Sequence, residues 1–347
     1  MYATQLPMKT KLLLCLVALV FTATANAAFY LFSDLGAPAS YPWVIPTGIN
    51  NAGQIVGSAY DLGGHPVAFR LASGTFYTHP SPGPAHSSWG NAINSTGIIA
   101  GLCDRNGSIY HACYVTPGGG LAVDFDSDFT RNSEAVSIND SNYVVGTASS
   151  QPFIGHTSGW IFLLGSTIGG NFVPKDMNND FVMAGYDTTW GGKTYDVGSG
   201  TTTYLGWALG SFSNRAYAIN ERGEVAGTVG SQGFLYSGGV AVKFGSSVTE
   251  VKAVNTDGDV VGTASGKAFV YLRDTAQFID LNTAISAATA ATWTLLSADG
   301  INDGGVIVGR ARRLATPADD PGAGMYIYRG YRLRPFVFIP LPLTITP

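Results

Sequence analysis

The stretch Ile49-Asn50-Asn51-Ala52-Gly53-Gln54-Ile55-Val56-Gly57 decides the fold. An apolar residue precedes Asn50, a turn follows, and a short apolar run ends in Gly57. The pattern returns at Ile93-Asn94 to Gly101, Ile138-Asn139 to Gly146, Met177-Asn178 to Gly185, Ile219-Asn220 to Gly227, Val254-Asn255 to Gly262 and Ile301-Asn302 to Gly309. In all seven copies Asn and Gly stand seven residues apart, and successive Asn residues are separated by 44, 45, 39, 42, 35 and 47 positions. A period of that size marks one supersecondary unit repeated along the chain.

Each copy reads as a hairpin. Asn favours the first position of a type I turn, and glycine the left-handed position that follows. The third residue after the Asn is Gly53, Gly97, Gly223, Gly258 or Gly305 in five copies and Asn142 in a sixth. Copy four has Phe181, so either its turn is built differently or Asn179-Asp180 takes over. A second strand follows, as in Gln54-Ile55-Val56-Gly57-Ser58, with the β-branched residues that strands favour. A third carries a small residue beside an aromatic, as in Ala68-Phe69, Gly233-Phe234 and Ala268-Phe269. A fourth comes after another turn, as in Thr75-Phe76-Tyr77, Trp160-Ile161-Phe162 and Phe278-Ile279-Asp280-Leu281. Four short antiparallel strands per unit describe a propeller blade, so the chain is expected to be all-β, a seven-bladed propeller, with an open β-repeat array as the alternative.

The segment from Ala28 to Gly36 resembles a fourth strand placed before the first repeat. It is expected to close the ring on the last blade, in competition with Tyr331 to Phe336. A run from Thr283 to Ala291 reads as a helix capped by Asn282. The Ile-Asn-x-x-Gly-x-Val-x-Gly hairpin, the degenerate His-Ala-Phe strands at His111-Ala112-Cys113 and Lys267-Ala268-Phe269, and the run from Leu205-Gly206-Trp207 to Ile219-Asn220 resemble the bacterial HAF extracellular repeat family. Trp293-Thr294-Leu295 leading to Gly300-Ile301-Asn302-Asp303 resembles the final repeat of those proteins. The resemblance implies export and a repeat architecture, and it implies no catalytic residues.

Composition agrees with this reading. The chain has 347 residues, 45 Gly and 12% charged residues, against a usual charged share of about 25%. Its length exceeds the roughly 250–300 residues of one conventional core, which an array of small sheets avoids. The formal charge of -4 and the lack of a dense basic run exclude a phosphate-tracking surface, so nucleic acid is not an expected partner. Lys9 and Lys11 precede an apolar run from Leu12 to Phe21 and the small-residue stretch ending at Ala27. Residues 1–27 therefore read as a secretory signal, 28–336 as one propeller domain and 337–347 as a Pro-rich tail without a membrane span. The chain is expected to be secreted, or alternatively periplasmic, and monomeric. Cys15 leaves with the signal. Cys103 and Cys113 remain, flanking Asn106-Gly107, and in an oxidising compartment are expected to form a disulfide.

Chemistry is harder to find. Trp190-Gly191-Gly192-Lys193-Thr194 ends like a phosphate loop, but Asp187 stands where the first Gly belongs and the segment lies between strands. Asp124, Asp126 and Asp128 are spaced like the start of a calcium loop, although Ala135 replaces the closing Glu, which leaves a weak calcium site as the one cofactor expectation. His65, His79, His86, His111 and His156 show no metal-ligand spacing. Glu221 and Glu224 fall in a turn, where solubility accounts for them. No catalytic residue is assigned.

The loops opposite the Asn turns carry the variation, and there His86, Trp89, Trp190, Arg310, Arg312 and Arg313 are the candidate ligand-binding residues. Indole faces stack on sugars, and guanidinium forks grip anions. Trp207 shares that end of the blades, with packing between blades as its structural alternative. The expected function is an exported, non-enzymatic binding module for a polysaccharide or envelope protein. A secreted hydrolase or lyase with acids in the channel, and a structural surface protein, are the alternatives.

Overall fold

The computed structural model describes residues 30–83, 87–126, 128, 130–169, 171–315 and 326–336. Residues 1–27, where a secretory signal is expected, His86 and the tail from 337 lie outside them. Seven four-stranded antiparallel sheets form a seven-bladed propeller. In each of the first six blades the strands follow chain order, as in Trp43–Ile49, Ile55–Tyr60, Pro66–Ala72 and Thr75–His79 of blade one. Blade seven takes Thr294–Ile301, Ile307–Leu314 and Tyr326–Pro335 from the end of the chain and Tyr30–Asp34 from its beginning. The N-terminal strand thus closes the ring. Its supposed competitor, Tyr331 to Phe336, falls at the end of the third strand, which runs to Pro335 and against which Tyr30–Asp34 pairs.

The seven asparagines form a belt. In every copy the Asn carbonyl accepts from the residue three places on, and the Asn side-chain oxygen accepts from the amide four places on, as at Gly53 and Gln54 for Asn50. The side-chain nitrogen then reaches the next blade. Asn50 donates to Asn94 O, Asn94 to Asn139 O, Asn178 to Asn220 O, Asn220 to Asn255 O and Asn255 to Asn302 O. Asn302 donates to Asn50 O at 3.1 Å, which closes the circle and rules out an open array. Asn139 is the exception, with its buried nitrogen unpartnered.

The Gly at the end of each repeat has an equally specific reason. Each first strand carries a bulge, so that the second-strand Gly faces the carbonyl five residues before the repeat Asn. A Cβ on Gly57, Gly101, Gly146, Gly185, Gly227, Gly262 or Gly309 would meet that oxygen at 1.8–2.3 Å, well inside contact. The bulges turn the residue three places before each Asn inward, placing Thr47, Asn91, Val136, Lys175, Tyr217, Lys252 and Asp299 on the wall of one central channel. A bulge of this kind re-aims a side chain without ending the strand.

The aromatic of the third strand covers the repeat Gly. Phe69, Phe153, Phe234, Phe269 and Tyr331 are all buried and pair with Gly57, Gly146, Gly227, Gly262 and Gly309. The cores lie between neighbouring sheets. Ala218, Leu235 and Phe244 of blade five, for example, pack with Val251, Val260 and Phe269 of blade six.

Three local expectations need correction. The blade-four turn keeps the common geometry, with Phe181 itself at φ 62°, at a cost of roughly 1–2 kcal/mol; its ring packs edge-on against Tyr143 at 4.9 Å. The late helix runs over Ala287–Thr292 and is capped by Ser286, whose hydroxyl accepts from Thr289 N. Asn282 instead bonds both the N–H and the C=O of Leu295. Glu224 is buried rather than a solubilising turn residue, because Asn220 and Arg273 both bond its carboxylate at 2.8 Å. Among the described residues, no helix is long and apolar enough to cross a membrane.

The belt can be weighed link by link. Asn302→Ala removes both the turn acceptor for Val306 N and the bond to Asn50 O, and is expected to cost about 2–3 kcal/mol. Asn139→Ala loses no inter-blade bond and is expected to cost about 1 kcal/mol less, read from urea unfolding midpoints.

Candidate binding face

Blade four departs from its neighbours in its core. Where five blades place a small or β-branched residue two positions past the repeat Gly and an aromatic opposite that Gly, as Ala148 and Phe153 or Val229 and Phe234, blade four has Asp187 and Lys193. Lys193 is 3% exposed. Its ammonium meets Asp187 Oδ2 at 2.8 Å, donates to Ile168 O at 3.1 Å, and sits over the rings of Phe172 and Tyr204. Burial alone would push the Asp187 carboxyl up. The Lys193 bond, the amides of Trp190 and Thr189 and the ammonium charge outweigh it, and hold the group below its usual range. A buried ion pair of this kind adds little to stability over an apolar pair of the same size.

What the ion pair does is shape the turn above it. Asp187 Oδ1 accepts from the amides of Thr189 and Trp190, which fixes the link between the second and third strands. Gly191 has φ 69°, and a Cβ there would meet Phe212 O at 2.2 Å. The turn therefore lies directly against the connection from blade four to blade five. That connection contains the helical turn Gly206–Leu209 and Phe212. Trp190 is 48% exposed and Trp207 76% exposed. Both meet the Phe212 ring edge-on, at 5.8 and 5.1 Å, and Trp190 also meets Tyr204 at 5.7 Å. Two exposed indoles on a common aromatic base thus stand at the end of the blades opposite the Asn turns. Trp207 does not pack between blades.

The other candidate residues are dispersed. Trp89, half-buried on blade two, packs edge-on against Tyr110 at 5.6 Å. Arg310 on blade seven is taken up by Ser297 at 3.0 Å and Asp299 at 3.4 Å. Arg312 lies 4.3 Å above Tyr326, and Arg313 lies 5.4 Å above Trp293. Asp319 and Asp320, the next acids after these arginines in sequence, lie outside the described residues. Cys103 and Cys113 are joined in a disulfide with Cα atoms 5.9 Å apart. They occupy the blade-two positions equivalent to Asp187 and Lys193, Cys113 opposite Gly101 as Lys193 is opposite Gly185. Of the acidic triplet, Asp124 is bonded by the buried His111 at 2.8 Å, and Arg131 forks onto Asp126 and approaches Asp128 at 3.8 Å.

The channel carries acids too. Asp140, Asp176, Glu221, Asp299 and Asp303 line a cavity of about 320 Å³. Ser95 N donates to Asp140, Asn179 N to Glu221 and Thr256 N to Asp303, so each of these carboxylates joins two blades. Asp176 spans three blades, accepting from Ser137 and from Ile219 N. Burial pushes the carboxyls of Asp176 and Asp299 up, as it does Glu221, which also feels Asp140 and Asp176.

Sequence reasoning located Trp190 and missed Phe212, Tyr204 and the ion pair below. The signal was present as a Lys at the position that is aromatic in five other copies. It becomes readable only once the third strands are aligned on their repeat Gly partners.

No family model matches the chain, and no curated protein does. Solved structures do. The extracellular domain of a B. thetaiotaomicron protein named as a hybrid two component system is similar with a TM-score of 0.54 and 12% identity over 86% of this chain, which spans 42% of that one. U3-55K gives a TM-score of 0.51 and 11% identity, covering 88% of this chain and 98% of that one. An oligogalacturonate lyase from Vibrio parahaemolyticus gives 0.51 and 9%, covering 88% and 97%. These likenesses are likenesses of fold.

Lys193→Met leaves Asp187 buried without a counter-charge and is expected to cost about 3–5 kcal/mol. Lys193→Phe with Asp187→Ala rebuilds the pairing of the other blades and is expected to recover most of that loss. Because the folded Asp187 value lies below the ordinary 3.8, its contribution is fully present above 3.8 and is lost as pH falls through the lowered value. Acid unfolding curves of the double variant are expected to lack that component.

Proposed function

We propose that this chain is an exported propeller that binds polysaccharide through the aromatic face of blades four and five. The observation that carries the reading is the pair Trp190 and Trp207, exposed on two connections and braced by one Phe212 ring. Indole faces held in fixed orientation stack on the apolar faces of sugar rings with little loss of side-chain freedom. Export is supported by the leader pattern ending at Ala27, by the disulfide, and by the resemblance of the repeat hairpins to the HAF-type extracellular family.

The second reading is a hydrolase or lyase working in the channel, favoured by the five carboxylates there. The hydrogen bonds of Asp140, Asp176, Glu221 and Asp303 across blades support a ring-holding role for those four instead. A propeller that docks an envelope protein, or merely spaces surface components, would use the same face without sugar affinity.

Titration of a soluble polysaccharide panel separates these readings. Trp190→Ala and Trp207→Ala are each expected to weaken binding about tenfold, with the unfolding midpoint of Trp207→Ala unchanged. Full affinity in the double variant would remove the aromatic face from the function. Release of reducing ends, abolished by Asp299→Asn, would support channel catalysis.

A further inference from the structure

The seam where the ring closes holds a cavity of about 650 Å³ between blade seven and blade one, on the Asn-turn side. Strand alternation decides what lines it. Along Tyr326–Pro335, Tyr331 and Leu333 enter the core shared with blade six. Gly330 faces blade one, beside Val44 O and Pro46. Arg332 and Arg334 follow Gly330 on that side and line the cavity. Across from them stand the Asn50 turn at Gly53 and the tight turn Ser73-Gly74, whose φ angles are 51° and 81°.

Among the described residues, neither arginine is answered by an acid. Among the described residues, Arg332 and Arg334 make no ion pair, and the buried Arg332 Nε has no hydrogen-bond acceptor. Asp34, on the rim of the cavity, accepts from Gly36 N at 2.9 Å and pairs with neither. Burial, together with the like charge of Arg334, pushes the Arg332 guanidinium below its ordinary value. Blade one offers the contrast. Arg70 occupies the matching strand position, opposite Val56 as Arg332 is opposite Val308. Its Nε is likewise unpartnered, but the next blade supplies an acceptor for Nη2, Pro117 O, and Tyr77 supplies a ring 5.2 Å away. At the closing seam blade one presents no such acceptor to Arg332. Arg332 is partly withdrawn from water in a partly enclosed space and is repelled by the like charge of Arg334 beside it. An oxyanion relieves both costs through charge-assisted bonds to the guanidinium forks.

We infer that the seam cavity is an oxyanion site in which Arg332 and Arg334 grip a phosphate, sulfate or carboxylate group against blade one. The site lies on the opposite side of the ring from Trp190 and Trp207, so it stands whether or not that face binds sugar. A ligand held there spans the junction of the first and last blades, and by linkage it raises the temperature at which the ring opens.

The test is thermal unfolding and calorimetric titration of the full chain with inorganic phosphate, sulfate and glucuronate, each against sodium chloride of equal ionic strength. At least one oxyanion is expected to raise the midpoint in a saturable way. Phosphate and sulfate acting alone would identify a tetrahedral ligand, and glucuronate a carboxylate. Arg332→Met and Arg334→Met are each expected to weaken binding about tenfold or more. Arg222→Met, which removes an exposed arginine 3.6 Å from Asp257, is expected to leave it unchanged. Arg334 is exposed, so its variant keeps the test open if Arg332→Met fails to fold. No oxyanion exceeding sodium chloride, or an undiminished response in Arg334→Met, would overturn the assignment.

Discussion

The asparagine that opens each hairpin binds twice, and the ring depends on that double use. Its oxygen closes the turn within a blade, and its nitrogen crosses to the carbonyl of the next Asn. A turn and a blade interface are therefore specified by one side chain. The carbonyl that receives the inter-blade bond also accepts from the residue three places along its own turn. Turn geometry and blade spacing cannot vary independently. The Asn amide carries its acceptor and its donor on separate atoms of one short stem; Asp would keep the turn and lose the belt.

Much of this architecture was legible because it is periodic. The Asn and Gly spacing reports hairpin register directly, since Gly57 faces the bulge before Asn50 in the same way that Gly309 faces the one before Asn302. What stayed hidden was whatever occurs once. Phe181 adopts the left-handed turn through the insistence of its neighbours rather than its own preference. Asn282 looked like a helix cap and proved to be a tether to Leu295, because capping propensity is local whereas its partner lies 13 residues away. The channel wall was hidden for another reason: a bulge changes which residue points inward, and period-two reasoning does not anticipate it.

The candidate face was visible only in outline. Tryptophan in a variable loop marks surface, but the partners that orient it, Phe212 and the Asp187–Lys193 pair, come from other segments. Aligned blade on blade, the disulfide of blade two and the ion pair of blade four are alternative fillings of one site. Both replace a packed aromatic with a specific link between the second and third strands. The first link answers to redox conditions and the second to acid, whereas the other five blades fill the site with a packed ring, to which the Tyr331 hydroxyl adds a bond to Ser297 O.

Blade seven has a further consequence, which lies in time rather than space. Its outer strand, Tyr30–Asp34, is the first described segment to leave the ribosome, and the strand it pairs with is the last. During synthesis, six sheets can assemble in order while that first strand waits without its partner. The ring becomes complete only when Tyr326–Pro335 has arrived, so a product truncated before it would keep an open sheet edge, whereas the finished ring hides the join.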